Sequence, residues 1–256
     1  MTDEQPSKVQ QQFGTHAQNY VNSSVHATGE DLDAMLRLAN PQPTDVVLDI
    51  ATGGGHTALK FAPHVNRVVA TDITPAMLEA AQAFISPQAD NVSFELADAQ
   101  DLPFGDATFD IVTCRIAAHH FPDAYEFVLE AARVLRPGGR LVLQDQQAPP
   151  DERAHKYIDT FERLRDPSHN HQLSAGQWRS TFLDARLELG ETYEMARADA
   201  FIPWAQRIGA TPETVEKLTT LMLQAPDAVR DWLQPKAMGT PDAVIHHRYL
   251  ILVGTR

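Results

Sequence analysis

The tightest constraint on this chain is the run Val46-Val47-Leu48-Asp49-Ile50-Ala51-Thr52-Gly53-Gly54-Gly55-His56-Thr57. Its β-branched start predicts a buried strand that ends at an acid, its glycine triplet a tight turn, and Thr57 to Ala62 the opening of a helix. Glycines without Cβ atoms let a ligand lie directly against backbone, and a helix start offers unpaired N–H groups. A polar, nucleotide-like ligand is implied. Gly53-x-Gly55-x-x-Ala58 also satisfies the loose G-x-G-x-x-G/A pattern of dinucleotide enzymes, so the turn alone does not choose the nucleotide.

The same grammar recurs downstream. Asn66 to Asp72 reads as a second strand ending in an acid, followed by a helix from Pro75 with Thr74 as its cap. Asn91 to Asp98 reads as a third. In a parallel sheet the carboxyl ends of all strands share one edge, where ligands bind, so Asp49, Asp72 and Asp98 are expected to converge. Asp72 suits both hydroxyls of a ribose and would repel a 2′-phosphate. Asp98 with the Ala99 backbone suits an adenine amine, and Asp49 can hold the glycine turn or meet a cationic amino group. Phe109 to Cys114 is a fourth strand, with Arg115 to Asp123 at its carboxyl end. A helix from about Tyr125 to Leu135 then stops at the turn Arg136-Pro137-Gly138-Gly139, before a fifth strand from Arg140 to Asp145.

In this order, Val-Leu-Asp-Ile-Ala-Thr-Gly-Gly-Gly, Thr71-Asp72, Ala97-Asp98-Ala99 with Leu102-Pro103-Phe104, Phe109-Asp110, His119-His120-Phe121 and Leu135-Arg136-Pro137-Gly138-Gly139 resemble the class I S-adenosylmethionine-dependent methyltransferases. Within them the chain is similar to the ubiquinone/menaquinone-biosynthesis C-methyltransferases and small-molecule O-methyltransferases. The resemblance covers about residues 9 to 145. It departs at Ala51, where the family's acid-x-Gly-x-Gly-x-Gly has its first glycine.

That resemblance implies an α/β fold: a Rossmann-like, seven-stranded, mainly parallel sheet with helices on both faces and an antiparallel last strand. It implies S-adenosylmethionine as cofactor, with Asp49, Ala51, Gly53 and Gly55 around the methionine part, Asp72 on the ribose, and Asp98 and Ala99 on the adenine. Ile73 and Met77 would pack on the adenine or ribose, and Arg115 would approach the methionine end through its backbone. A nicotinamide-dependent oxidoreductase is disfavoured by Asp98-Ala99 and Pro137-Gly138-Gly139. Methyl transfer needs mainly alignment and exclusion of water. A less acidic acceptor oxygen would need a base, for which His120 and His119 are candidates, with Asp145 as orienting partner. In an extended segment only one of the two histidines would face the substrate.

The flanks are read as cover for this core. Apolar positions at 9, 13, 17, 20 and 21, interrupted by Gly14, predict one bent or two short helices. These helices cover the sheet or form a lid, with Phe13 or Tyr20 touching the ligand. The expected organisation is one structural domain in three parts: an N-terminal helical lid over 1–40, the cofactor core over 41–150, and completion of the sheet with helical cap insertions over 151–256. Trp204 is a candidate pocket wall. His169 and His171, and His246-His247, lack cysteines or a clear acid partner, so no metal site is expected.

Charge narrows the partners. Net charge is −13, and residues 1–150 hold 8 Lys and Arg against 19 Asp and Glu. Such a surface disfavours a nucleic-acid substrate, leaving a tRNA or rRNA methyltransferase as an alternative beside a non-catalytic cofactor-binding sensor or scaffold. No apolar run nears the roughly 18 residues of a membrane span. A single cysteine and a polar, acidic start suit the cytoplasm, and the chain is expected as monomer or homodimer.

Overall fold

The computed structural model describes residues 4–21 and 29–256, with side chains for 4–14 and 29–256. Two helices, α1 (Glu4–Val21) and α2 (Glu30–Ala39), precede the sheet. Helix α1 continues through Gly14, whose cost in one helical position is only about 1 kcal/mol, so the segment is one helix and not two short ones.

The sheet then builds by strand–helix alternation: β1 (Val46–Ile50), α3 (His56–Phe61), β2 (Arg67–Asp72), α4 (Pro75–Ile85), β3 (Val92–Leu96), β4 (Phe109–Arg115) and α5 (Ala124–Val134). It continues through β5 (Leu135–Gln146), α6 (Glu152–Arg165), α7 (Ala175–Asp184) and β6 (Glu188–Ala200). Three short helices, α8 (Phe201–Gln206), α9 (Pro212–Leu223) and α10 (Asp227–Leu233), lead to β7 (Val244–Thr255). The strand order is β3-β2-β1-β4-β5-β7-β6. Strands β1 to β5 pair in parallel, and β7 inserts antiparallel between β5 and β6. The expected Rossmann-like seven-stranded sheet is the observed one.

Alternate residues of the central strands feed two cores. Leu48, Ile50 and Val112 pack with Phe109, Phe127 and Trp178, while Val47 and Ile111 pack with Met35, Phe61 and Ile85. Both faces of β1 are therefore buried, which is why it reads as an unbroken apolar run. A third cluster joins Ile158 and Phe161 of α6 to Phe201, Trp204, Leu218 and Met222 against Ile245 of β7. Trp204 stacks on Phe161 in that cluster, with ring centroids 5.8 Å apart, and does not line the cleft described below.

One turn is placed differently from expectation. Arg136-Pro137-Gly138-Gly139 belongs to β5: Phe109 pairs with Leu135 and Ile111 with Arg140, so the intervening residues bulge out of the ladder. The bulge is held from the far strand, because Gly138 N–H donates to Arg256 O at 2.8 Å and Arg256 N–H to Gly139 O at 3.0 Å.

Candidate functional site

The order of strands reverses between β1 and β4, and a cleft opens there at their carboxyl ends. Its floor is the glycine turn. Asp49 lies directly beneath: Oδ2 accepts from Thr52 Oγ1 at 2.6 Å and Oδ1 from Thr113 Oγ1 at 2.7 Å. Burial raises its pKa to about 6. Neither Asp49 nor Gly55 lines the cleft. Asp49 braces the turn from behind, and Gly55, at φ +85°, is where a Cβ would come within 2.6 Å of Ile85 Cδ1. Of the three strand-end acids, only Asp72 and Asp98 face the open space.

Ala51, Thr52, Gly53 and Gly54 of the turn line the cleft. Ala51 sits at φ +53°, a left-handed conformation that disfavours any side chain. That conformation explains why the family pattern has glycine there. Asp72 accepts from Gly53 N–H at 3.0 Å and Thr74 N–H at 2.9 Å, one bond to each oxygen, so each keeps a lone pair for a ligand. Its pKa is raised by burial, against which these backbone donors act. Asp98 lies two residues past β3 and takes Gln100 N–H at 2.9 Å on one oxygen. Its other oxygen, and the buried Ala99 N–H, have no hydrogen-bond partner among the described residues. An acceptor and a donor side by side match the amine and ring nitrogen of an adenine edge. Ile73 and Met77 complete this wall.

Arg115 also borders the cleft, but its guanidinium is committed to Asp31, with Nε 2.9 Å from Oδ2, and to Gln144 at 3.1 Å. Burial would raise the Asp31 pKa, yet Arg115 holds it below the usual carboxylate value. Ile116, the neighbour of Arg115, also lines the cleft and sits at φ +53°.

The histidine pair is not extended. Residues 118–120 form a short 3₁₀ turn, which sets the two rings side by side with centroids 4.1 Å apart. They have different partners. His119 Nδ1 lies 2.6 Å from Asp145 Oδ1, and His119 N–H donates to Asp145 Oδ2 at 2.8 Å. Asp145 thus orients His119, which does not line the cleft, rather than His120, which does. Burial lowers the His119 pKa, but the Asp145 charge and hydrogen bond outweigh it and the net shift is upward. For His120 burial dominates, the neighbouring His119 adds to it, and its pKa falls well below the ordinary value. His120 Nδ1 lies 3.0 Å from Ser168 O, which makes it the protonated nitrogen and leaves Nε2 with its lone pair.

Several lining residues had no expectation attached. Pro6 and Val9 join Phe13 on one face of α1, and Phe13 meets the His120 ring edge-on at 5.0 Å. Phe121 and Pro122 also line the cleft. The i, i+4 spacing of Val9 and Phe13 was a visible signal, whereas Ser168 lies in an irregular loop with no pattern to reveal it. The side chain of Tyr20 falls outside the described ones. Helix α1 is fastened by glutamines: Gln5 Nε2 donates to Ser168 O at 2.6 Å and to His120 O at 3.2 Å, Gln10 Nε2 to Ile73 O at 2.9 Å, and Gln12 Nε2 to Ile208 O at 2.8 Å.

Comparison with known proteins agrees with this geometry. A methyltransferase-domain family model matches residues 48–143. The uncharacterised methyltransferase YcgJ of Bacillus subtilis is 37% identical over 232 residues, 90% of this chain and 89% of its own. Its crystal structure superposes with a TM-score of 0.85 at 33% identity, covering 89% of this chain and 98% of that one. Shorter matches include the 27-O-demethylrifamycin SV methyltransferase of Amycolatopsis mediterranei, 43% identical over 43% of this chain and 42% of its own. The demethylmenaquinone methyltransferase of Deinococcus radiodurans is 42% identical over 40% of this chain and 44% of its own. A nicotinamide-dependent oxidoreductase is set aside by this relationship. Matched over nine-tenths of its length to a methyltransferase at 37% identity, the chain belongs to the class I S-adenosylmethionine-dependent methyltransferases, in the neighbourhood of the menaquinone C-methyltransferases and the O-methyltransferases.

Proposed function

We propose that the enzyme methylates a small, largely apolar acceptor at an oxygen or an acidic carbon, with His120 Nε2 receiving the proton. The observation that carries this reading is the mixed lining of the cleft, which combines the carboxylates of Asp72 and Asp98 and the free Ala99 N–H with apolar Val9, Phe13, Phe121 and Pro122 and a neutral imidazole.

Bound S-adenosylmethionine supplies an electrophilic methyl group on a sulfonium. The residues present fit it. Asp72 has one lone pair per oxygen for a ribose diol, and Asp98 with Ala99 N–H matches adenine. Gly53 and Gly54 admit the methionine part against backbone, with Ala51 and the Arg115 backbone beside it, while Asp49 and Gly55 hold the turn's shape. His120, fixed through Nδ1 by Ser168, can take a proton only at Nε2. His119 and Asp145 act on it indirectly, since the raised His119 pKa keeps positive charge next to His120 and weakens it as a base. An acceptor whose own proton is fairly acidic suits so weak a base. Relatives named for demethylmenaquinone and 27-O-demethylrifamycin SV support a small-molecule acceptor.

Residues 1–40 serve as the lid in this reading, 41–150 as the cofactor core, and 151–256 as the substrate cap that completes the sheet. The protein acts free of membranes in the cytoplasm; among the described residues no helix is long and apolar enough to cross one. Calorimetric titration with S-adenosylmethionine, S-adenosylhomocysteine and NAD, followed by mass-spectrometric screening of small phenols, quinols and bulk tRNA, tests it. A gain of one methyl on a small acceptor is expected. Methylation of RNA alone, or cofactor binding without turnover on any acceptor, would refute it in favour of an RNA methyltransferase or a sensor.

A further inference from the structure

Away from the cleft, the loop after α6 folds back over that helix and surrounds a single buried carboxylate with three imidazoles. Asp159 lies one turn beyond His155 on the same face of α6. His171 Nδ1 is 2.5 Å from Asp159 Oδ2, His169 Nε2 is 3.0 Å from Oδ1, and Gln172 N–H donates to Oδ1 at 3.3 Å. His155 Nε2 stands 3.6 Å from Oδ2 and 2.7 Å from Gln172 O, and its ring stacks on that of His171 with centroids 4.6 Å apart. The His-rich loop therefore has the acid partner that the sequence alone did not reveal.

We propose that His155, Asp159 and His171 form a binding site for one divalent transition-metal ion of the zinc class, with the Gln172 carbonyl or a water as fourth ligand. The potential ligand atoms of the three side chains all lie within 4.8 Å of one another. Bonds of about 2.0–2.1 Å in a tetrahedron require ligands about 3.3 Å apart, a spacing bracketed by the observed 3.6 and 2.5 Å. The short contact must open, and His171 has room to retract because its side chain is 44% exposed. Both imidazoles bind as neutral rings: His155 carries its proton on Nδ1 and His171 on Nε2, so two hydrogen bonds are exchanged for metal bonds. His169 keeps its bond to the other Asp159 oxygen and aims the carboxylate, the usual task of an outer partner. Two imidazoles with one carboxylate favour zinc, cobalt or nickel over magnesium or calcium, which take oxygen ligands.

The site sits on the loop that supports the histidine pair. Asn170 N–H and His171 N–H both donate to His119 O at 3.0 Å, and Ser168 O holds His120. An ion there staples this loop to α6 and, by binding only the folded chain, raises its melting temperature.

The test uses the full chain without a polyhistidine tag, stripped with a chelator and titrated with Zn²⁺ by calorimetry and with Co²⁺ by visible absorption. One ion per chain is expected, with a tetrahedral cobalt spectrum and a zinc-dependent rise in melting temperature. His155→Ala and His171→Ala should each weaken binding at least about tenfold. His246→Ala, on a half-buried residue of β7, should not. His171→Ala removes a partly exposed ring, so retained circular dichroism shows that a loss is local. Absence of binding, or binding unchanged in the doubly substituted His155→Ala/His171→Ala chain, overturns the proposal.

Discussion

The proposed cofactor and acceptor groups of the cleft are held on different principles. The proposed cofactor groups are backbone atoms and two carboxylates at strand ends: Asp98 is fixed within its own turn, and Asp72 by its own turn and by the neighbouring glycine turn. The proposed acceptor groups are each held by a distant part of the chain: His120 by Ser168, His119 by Asp145, and α1 by carbonyls at Ile73, His120, Ser168 and Ile208. The first set is built from adjacent strand ends, and the second is assembled from parts of the chain 26 to 196 positions apart.

Substitutions in the two sets should therefore fail differently. The largest effect is expected for Asp72→Ala, which removes two charge-assisted bonds to the cofactor ribose worth about 1.5–3 kcal/mol each. Calorimetry should show affinity for S-adenosylhomocysteine falling about a thousandfold, or about 4 kcal/mol, with the fold retained. An unchanged affinity would break the comparison on its cofactor side.

Asp145→Asn comes next and should act on stability. The Asp145–His119 pair is buried, and removing one charge should cost about 3 kcal/mol by denaturant unfolding at pH 6. His119 has a raised pKa in the folded state, so the pair's stabilisation is fully present below the ordinary value of 6.5 and fades as pH rises through the folded value. The difference between the two proteins should accordingly be smaller at pH 9 than at pH 6. Equal differences at both would show that His119 carries no charge.

A weaker effect, confined to chemistry, is expected of His120→Ala. Turnover should drop about a hundredfold, at the low end for a general base because His119 weakens it, while cofactor affinity stays within about twofold. Restoring the rate at higher pH would show that the acceptor can ionise unaided. The smallest effect belongs to Ala51→Gly. Relief of the left-handed strain, about 1–2 kcal/mol, is partly offset by about 0.4–1 kcal/mol of chain entropy, so the melting temperature should rise by only a few degrees. A fall would mean that the Ala51 methyl makes contacts worth more than its strain.

The same contrast explains what was legible in the sequence. Strand, glycine turn and terminal acid lie within a dozen residues, so β1, β2 and the Asp72 and Asp98 edge could be read directly, while the seven-stranded sheet with its antiparallel last strand was implied by the family resemblance. Asp49 was read as holding the glycine turn or meeting an amino group, and its bond to Thr113, 64 residues away, belongs to the first of these. Asp145 was read as orienting the histidine pair, but which ring it holds, and the partners of His120 and His171, could not be read. Each bond spans at least 12 positions, with no periodicity linking its ends, and the histidine pair lies in a 3₁₀ turn that two adjacent identical residues do not announce. Pro137-Gly138-Gly139 was recognised as a break, but its role as a bulge depends on Arg256 at the other end of the chain.

The glutamine fastening of α1 has an evolutionary corollary. Gln5, Gln10 and Gln12 all grip main-chain carbonyls, so the clasp recognises the path of the backbone and is indifferent to which side chains occupy Ile73, Ser168 or Ile208. The surfaces beneath can drift in sequence toward new acceptors without unfastening the cover. A lineage can thereby change what it methylates while inheriting intact the means of shutting water out.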